Sequence, residues 1–292
     1  MPGVKLLATL FLIPFCLARA ELRLGIVGGD GAEAIAFTQI LNDASHPDHI
    51  PGARVVAAYR GGRVDKTGEE LRAKWKVEIT PDVGSLCRRV NAVLIGSGNQ
   101  AGRLDQIKTV IAAGKPMFFE SPLAATLDEA RTIVNLVKDS GLPWFSASGF
   151  RFGEISEIKA SYLFSANAWG PTAMDQRAIE MLYALMGAGC EEVTYSAGSH
   201  GGILMGRWPG RVGTVTFGWP EDGWGVEVAR SKEAGRIKYK IGQDYRSLLV
   251  EVVKFFETSL APVSSQETLE IFAFLDAAAR SKAAGGAPMK LR

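Results

Sequence analysis

The chain has 292 residues, with 33 Lys and Arg against 31 Asp and Glu, a net charge of +2 and 47% hydrophobic residues. This near-neutral balance without long basic runs excludes an electrostatic nucleic-acid binder. The length is enough for two modest domains with cores of their own.

The first twenty residues read as a targeting segment. Lys5 supplies a short positive region, Leu6 to Leu17 is apolar but short for a bilayer span, and Ala18-Arg19-Ala20 resembles a small-residue cleavage site. A secretory signal peptide is expected over residues 1–20, ahead of a mis-chosen start or a retained anchor. The chain would then be exported, periplasmic or extracellular, and otherwise cytoplasmic. After cleavage nothing suggests a membrane. Cys16 would leave with this segment, and Cys87 and Cys190 fall in different expected domains, so no disulfide framework is indicated.

From Glu21 to about residue 150 short apolar runs alternate with amphipathic ones. Strands are expected at Leu22–Gly28, Arg54–Tyr59, Val77–Ile79, Ala92–Gly96, Pro116–Phe119 and Trp144–Ser146. Helices fit at Ala32–Asn42, Glu69–Lys74, Asp82–Arg89, Leu104–Ala113 and Thr126–Ser140, with Gly114 and Gly141 as stops. Consecutive apolar residues in Val93-Leu94-Ile95 and Met117-Phe118-Phe119 indicate strands covered on both faces. A doubly wound parallel sheet follows, hence an α/β domain over residues 21–150.

The first strand runs into Gly28-Gly29-Asp30-Gly31-Ala32-Glu33-Ala34, a glycine turn opening a helix. A backbone that bends sharply and approaches a pyrophosphate needs glycine, and a helix N-terminus supplies the N–H groups for the anion. Read from Gly29, the spacing Gly29-x-Gly31-x-x-Ala34 fits the dinucleotide fingerprint; read from Gly28, Asp30 and Glu33 stand where small residues belong. Beyond the second strand, after Tyr59, Arg60 replaces the usual ribose-binding acid. Arg60 is either a reader of a 2′-phosphate, hence NADP, or a solvated side chain.

After Arg151 the pattern changes. Lys159–Ser165, Glu192–Ser196, Ile203–Trp208, Arg211–Trp219, Gly225–Ser231 and Arg236–Ile241 are strand-like and joined by turns, with helices at Asp175–Met186, Tyr245–Ser259 and Ser265–Ala284. Strands without helical crossovers indicate an open antiparallel sheet, so residues 151–292 are expected to be an α+β domain for substrate and oligomerisation. In the alternation Thr214-Val215-Thr216-Phe217, apolar residues are expected on the open face. Trp169, Trp208, Trp219 and Trp224 read as core or interface, with sugar stacking as the alternative. His46 and His49 read as surface loop residues, His200 as a turn residue, and no metal site is expected.

Four stretches resemble the Gfo/Idh/MocA oxidoreductases: residues 52–62 (Gly-Ala-Arg-Val-Val-Ala-Ala-Tyr-Arg-Gly-Gly), 113–124 (Ala-Gly-Lys-Pro-Met-Phe-Phe-Glu-Ser-Pro-Leu-Ala), 179–190 (Ile-Glu-Met-Leu-Tyr-Ala-Leu-Met-Gly-Ala-Gly-Cys) and 262–275 (Pro-Val-Ser-Ser-Gln-Glu-Thr-Leu-Glu-Ile-Phe-Ala-Phe-Leu). The resemblance implies an N-terminal Rossmann domain and a C-terminal open sheet, NAD or NADP as cofactor, a sugar-like substrate, and pairing of copies through the open sheet face. It places cofactor contacts at Gly28, Gly29, Gly31, Tyr59, Arg60, Ser97, Asn99, Arg103, Glu120 and Pro122. The family's Glu-Lys-Pro motif becomes Glu120-Ser121-Pro122, and its histidine three residues before Glu180 becomes Arg177. A third histidine position, after the fourth strand, becomes Arg103. Ser121 can bond a sugar but carries no charge, and Arg177 keeps its proton, which leaves nearby Asp175 as the substitute base.

Two functions follow. One is an NAD(P)-dependent oxidoreductase that transfers a hydride to or from a sugar-like or polyol substrate, with Ser121, Asp175 and Arg177 at its catalytic positions. The other is a catalytically degenerate exported protein that binds a ligand or assists assembly on the same scaffold. An open cleft shared by Tyr59, Arg60, Ser97 and Asn99 beside Gly29 and Gly31 would favour the first; a cleft filled by Asp30 or Arg103 would favour the second.

Overall fold

The computed structural model describes residues 20–28, 31–61, 65–96, 102–158, 163–172, 174–218, 223–230 and 236–292. The expected signal segment therefore lies, but for Ala20, outside the described residues, as do Gly29, Asp30, Ser97, Asn99 and Trp219.

Six strands, β1 (Leu22–Val27), β2 (Ala53–Tyr59), β3 (Glu78–Ile79), β4 (Ala92–Ile95), β5 (Met117–Glu120) and β6 (Trp144–Ala147), form a parallel sheet in the order β3-β2-β1-β4-β5-β6. Helices α1 (Gly31–Asn42), α2 (Lys66–Trp75), α3 (Val83–Cys87), α4 (Arg103–Ala112) and α5 (Leu127–Ser140) alternate with them. Local chemistry sets the ends of these helices. Asp65, Asp82 and Thr126 each accept a hydrogen bond from the backbone N–H three residues on, and Gly141 closes α5 at φ 70°. β4 and β5 are buried on both faces, as their unbroken apolar runs require. Cys87 and Cys190 are both buried free thiols.

A 3₁₀ turn at Gly149–Arg151 and the short α6 (Glu154–Glu157) lead to a second sheet. Its strands are β7 (Leu163–Gly170), β8 (Glu192–Gly198), β9 (Gly201–Trp208), β10 (Arg211–Phe217), β11 (Gly225–Arg230), β12 (Arg236–Lys240) and β13 (Met289–Lys290), in the order β12-β11-β7-β10-β9-β8-β13. The first of these strands runs to Gly170, five residues past the expected end at Ser165, while residues 159–162 of the expected strand lie outside the described residues. The sheet is also mixed, because β7 and β10 run parallel. Helix α7 (Gln176–Met186) follows β7 and covers one face before the β8–β10 meander returns alongside it.

The open face also differs from expectation. Val215 and Phe217 point into the core at 0% and 6% exposure, and Thr214 and Thr216 lie on the other side. The apolar residues on the open face are Ile203, Met205 and Val212, which are paired in register with or beside those threonines.

Two C-terminal helices, α8 (Tyr245–Thr258) and α9 (Ser265–Ala283), tie the halves together. Leu248, Leu249, Val252 and Phe255 of α8 belong to the same buried cluster as Leu24, Ile26 and Phe118 of the first sheet. Helix α9 contributes Phe274 and Ala278 to the second core and Phe272 to the first. No described helix is long and apolar enough to cross a membrane.

Candidate functional site

The candidate site lies where the carboxyl ends of β1, β2, β4 and β5 meet the start of α7. Open α/β sheets bind ligands at this edge, where the strand order reverses.

At the glycine turn Gly28 adopts φ 69°, and an added Cβ there would meet none of the described residues within 4 Å. The backbone is thus in the left-handed region, and α1 begins at Gly31 with the N–H groups of a helix N-terminus. Arg60 is not a solvated side chain. It is 8% exposed, donates from Nη1 to the Gly28 carbonyl at 2.7 Å, and pairs with Asp65 at 2.9 Å. Burial would raise the Asp65 carboxyl, but hydrogen bonds from Arg60 and the Gly68 N–H hold it below the usual range. Tyr59 ends β2, and its carbonyl accepts from the Gly28 N–H at 3.0 Å.

Arg103, at the start of α4, is 4% exposed. Its guanidinium donates to the carbonyls of Gly96 at 2.6 Å, Pro122 at 2.9 Å and Leu123 at 2.8 Å. Burial pulls its pKa down, against the charges of Glu33 and Glu120, which hold it up. Arg103 thus clamps the end of β4 to the loop after β5, and its positive charge offsets the buried Glu33 in the first turn of α1.

Ser121 follows β5, and its peptide bond to Pro122 is cis. Its hydroxyl donates to Glu180 Oε1 and accepts from Gln176 Nε2 at 2.8 Å. Glu180 Oε2 accepts from the backbone N–H of Ser148 at 2.9 Å and from its hydroxyl at 2.6 Å. A carboxylate at 3% exposure is therefore saturated with donors from the ends of both β5 and β6. Arg151 donates to the Glu180 carbonyl at 3.2 Å and pairs with Glu267 of α9.

Asp175 is placed as a helix cap and not as a base. Its Oδ1 accepts from the Arg177 N–H and Nε, both at 3.0 Å, and its Oδ2 from Arg177 Nη2 at 3.2 Å and Trp224 Nε1 at 3.1 Å. Four donors on a carboxylate whose side chain is 4% exposed leave no lone pair for a substrate proton.

The residues the sequence reading missed are Glu180, Ser148 and Gln176, since Glu180 served only as a landmark for counting back to Arg177. A signal for it was present: an acidic residue inside Ile179-Glu180-Met181-Leu182, on a helix otherwise apolar there, must be buried and partnered. The histidines are elsewhere. His49 bonds the Ile40 carbonyl at 3.0 Å, His46 accepts from the Asp48 N–H at 3.1 Å, and His200 lies in the β8–β9 turn. No group of three metal ligands occurs among the described residues.

Residues 22–147 match the Gfo/Idh/MocA family, described as an oxidoreductase family with an NAD-binding Rossmann fold. An inositol 2-dehydrogenase of Paracoccus denitrificans is 32% identical over 122 residues, 41% of this chain and 34% of that protein. The chain thus matches about a third of the length of this curated relative. A probable dehydrogenase from Thermotoga maritima superposes with a TM-score of 0.73 at 17% identity, covering 92% of this chain and 99% of that one. The scyllo-inositol dehydrogenase of Lactobacillus casei, solved with NAD(H) and scyllo-inositol, superposes with a TM-score of 0.74 at 13% identity, covering 93% and 99%. The family match is confined to residues 22–147, the first, parallel-sheet part of the chain, while the likeness in fold extends over nearly its whole length.

Proposed function

We propose that this protein belongs with the Gfo/Idh/MocA oxidoreductases and is an NAD(P)-dependent oxidoreductase that oxidises a carbinol of a sugar-like polyol, or reduces the corresponding carbonyl, by hydride transfer. One observation carries the reading: the Ser121 hydroxyl is wired to the buried Glu180 carboxylate at the carboxyl end of β5, the same end of the sheet as the glycine turn after β1.

The residues fit the cofactor. Gly28, left-handed and clear of the described residues on its Cβ side, suits close approach of the pyrophosphate, and the N-terminus of α1 supplies N–H groups for the anion. Arg103 neutralises the nearby acidic charge of Glu33. NAD, when bound, supplies the hydride acceptor. The chain's own residues handle the proton. A serine hydroxyl has two acceptor lone pairs, and Gln176 uses one, so the substrate O–H can donate to the other. As the carbinol C–H leaves with its electron pair, the O–H proton passes to Ser121 Oγ and the Ser121 proton passes to Glu180 Oε1. The reverse movement serves reduction. Glu180 is then the general base, acting through Ser121, while Ser148 and Gln176 fix the geometry of the pair.

The names of the inositol dehydrogenases among its relatives support a polyol substrate. The apolar residues Ile203, Met205 and Val212 on the open sheet face support a homo-oligomer. The short apolar N-terminal segment supports export. The test is reduction of NAD and NADP across a panel of polyols, sugars and sugar acids, followed by absorbance of the reduced nicotinamide. Turnover of any panel member that disappears in Glu180→Gln supports the reading. Cofactor binding without turnover of any panel member favours the non-catalytic scaffold.

A further inference from the structure

Asp175, Arg177 and Trp224 form a cluster that the Ser121–Glu180 relay does not use. Arg177 occupies the first turn of α7, where a cation meets the positive end of the helix dipole. It is nonetheless held in one orientation. Nε and Nη2 bond the two oxygens of Asp175 at 3.0 and 3.2 Å, and the guanidinium lies over the Trp224 ring, 4.7 Å from its centroid. Trp224 is fixed in turn by its own bond to Asp175 at 3.1 Å and by contact with Phe150, ring centroids 5.2 Å apart.

The side chain that carries this fixed guanidinium is still 46% exposed, and Nη1 donates to no described residue. Most half-exposed arginines are mobile, so a ligand must pay to order them; here Asp175 and Trp224 have already done so. A planar fork held on one edge and one face, and open on the other edge, is suited to a carboxylate. Its position suits a substrate too. Arg177 is one helical turn before Glu180, three residues away on a shared side of α7, and adjacent to Gln176, which touches Ser121.

We propose that the substrate carries a carboxylate, as a sugar acid or polyhydroxy acid does, anchored on Arg177 while its carbinol reaches Ser121. The proposal rests on the oxidoreductase reading and narrows its substrate class. Arg177 orients the substrate, and takes no part in the proton transfer.

The test is calorimetric titration of the full-length chain, with and without NADH, using two acids, D-glucuronate and L-tartrate, and two neutral counterparts, D-glucose and erythritol. At least one acid is expected to bind about tenfold or more tightly than its neutral counterpart, with an affinity that falls as salt is added. The preference should vanish in Arg177→Gln and survive in part in Arg177→Lys, which keeps the charge but loses the fork. Circular dichroism checks that both variants are folded, and the salt series on the unmodified chain reads the charge without any substitution. Equal binding of acids and neutral compounds, no heat from either acid, or a preference that persists in folded Arg177→Gln would overturn the proposal. Failure of NADH to bind while the acid preference stands would instead remove the oxidoreductase reading and leave an anion site.

Discussion

Ser121 and Glu180, 59 residues apart in sequence, share a hydrogen bond across the junction of the two domains, from the end of β5 to the second turn of α7. The bond joins the nucleotide-binding sheet to the helix that covers the second sheet. One buried carboxylate thus fixes the domains to each other and gives the hydroxyl a proton acceptor.

Removing either partner is expected to act differently on the rate and on the fold. Glu180→Gln keeps the shape but cannot accept a proton, and turnover should fall by about 10²–10⁴-fold, the usual contribution of a general base. Ser121→Ala removes the hydroxyl that donates to Glu180 Oε1 and should cut turnover similarly. Steady-state kinetics of both variants, with circular dichroism as a fold check, read this out. Full activity in folded Glu180→Gln would place the base elsewhere.

Arg60 braces the glycine turn through Gly28 and Asp65, so Arg60→Ala should destabilise the chain by about 1.5–3 kcal/mol, as for hydrogen bonds to charged groups. It should weaken NADH and NADPH binding alike. Loss confined to NADPH would instead identify a 2′-phosphate reader. The Asp65 carboxyl is held low in the folded chain, so its contribution is present above the ordinary carboxyl range, at about pH 4, and is lost as pH falls through the depressed value. The stability gap between the parent and Arg60→Ala should therefore narrow only in acid, to what the bond to the Gly28 carbonyl contributes, as measured by urea unfolding across pH.

The first core needs α8. Leu249 is 0% exposed among first-sheet residues, so Leu249→Ala should cost about 2–5 kcal/mol. A fragment of residues 21–150 should stay unfolded or aggregate, because Phe118 and Phe145 on one face of its sheet lose the cover of α8. A cooperative thermal transition of that fragment would contradict this.

Both buried thiols should be silent in the native state. Burial pushes Cys190 up to about 12 and raises Cys87 as well, so neither forms thiolate at mildly alkaline pH. A chromogenic disulfide reagent should detect them only after guanidinium unfolding.

The first domain was readable because its signals are local. Glycine stops, Asp and Thr caps and unbroken apolar strands need no knowledge of partners, and the expected β1, ending at Gly28, misses the observed end at Val27 by one residue. The second domain was readable in type but less so in detail. β7, with the sequence Leu-Phe-Ser-Ala-Asn-Ala-Trp-Gly, has small and polar residues where alternation would show, and a parallel β7–β10 pair leaves no mark in either strand. The apolar stripe of α8 announced burial but not the sheet it buries against. At the site, Ser121 and Arg177 could be placed from the family resemblance, yet the partners that define their roles, Glu180, Ser148 and Trp224, become neighbours only through the fold.

The most direct measurement is calorimetric titration of the protein with NADH and with NADPH in parallel. The account requires micromolar binding of at least one, weakened in Arg60→Ala and unchanged in Ser121→Ala. The absence of heat and of thermal stabilisation at millimolar concentrations of both would contradict the oxidoreductase account and leave a scaffold without its cofactor.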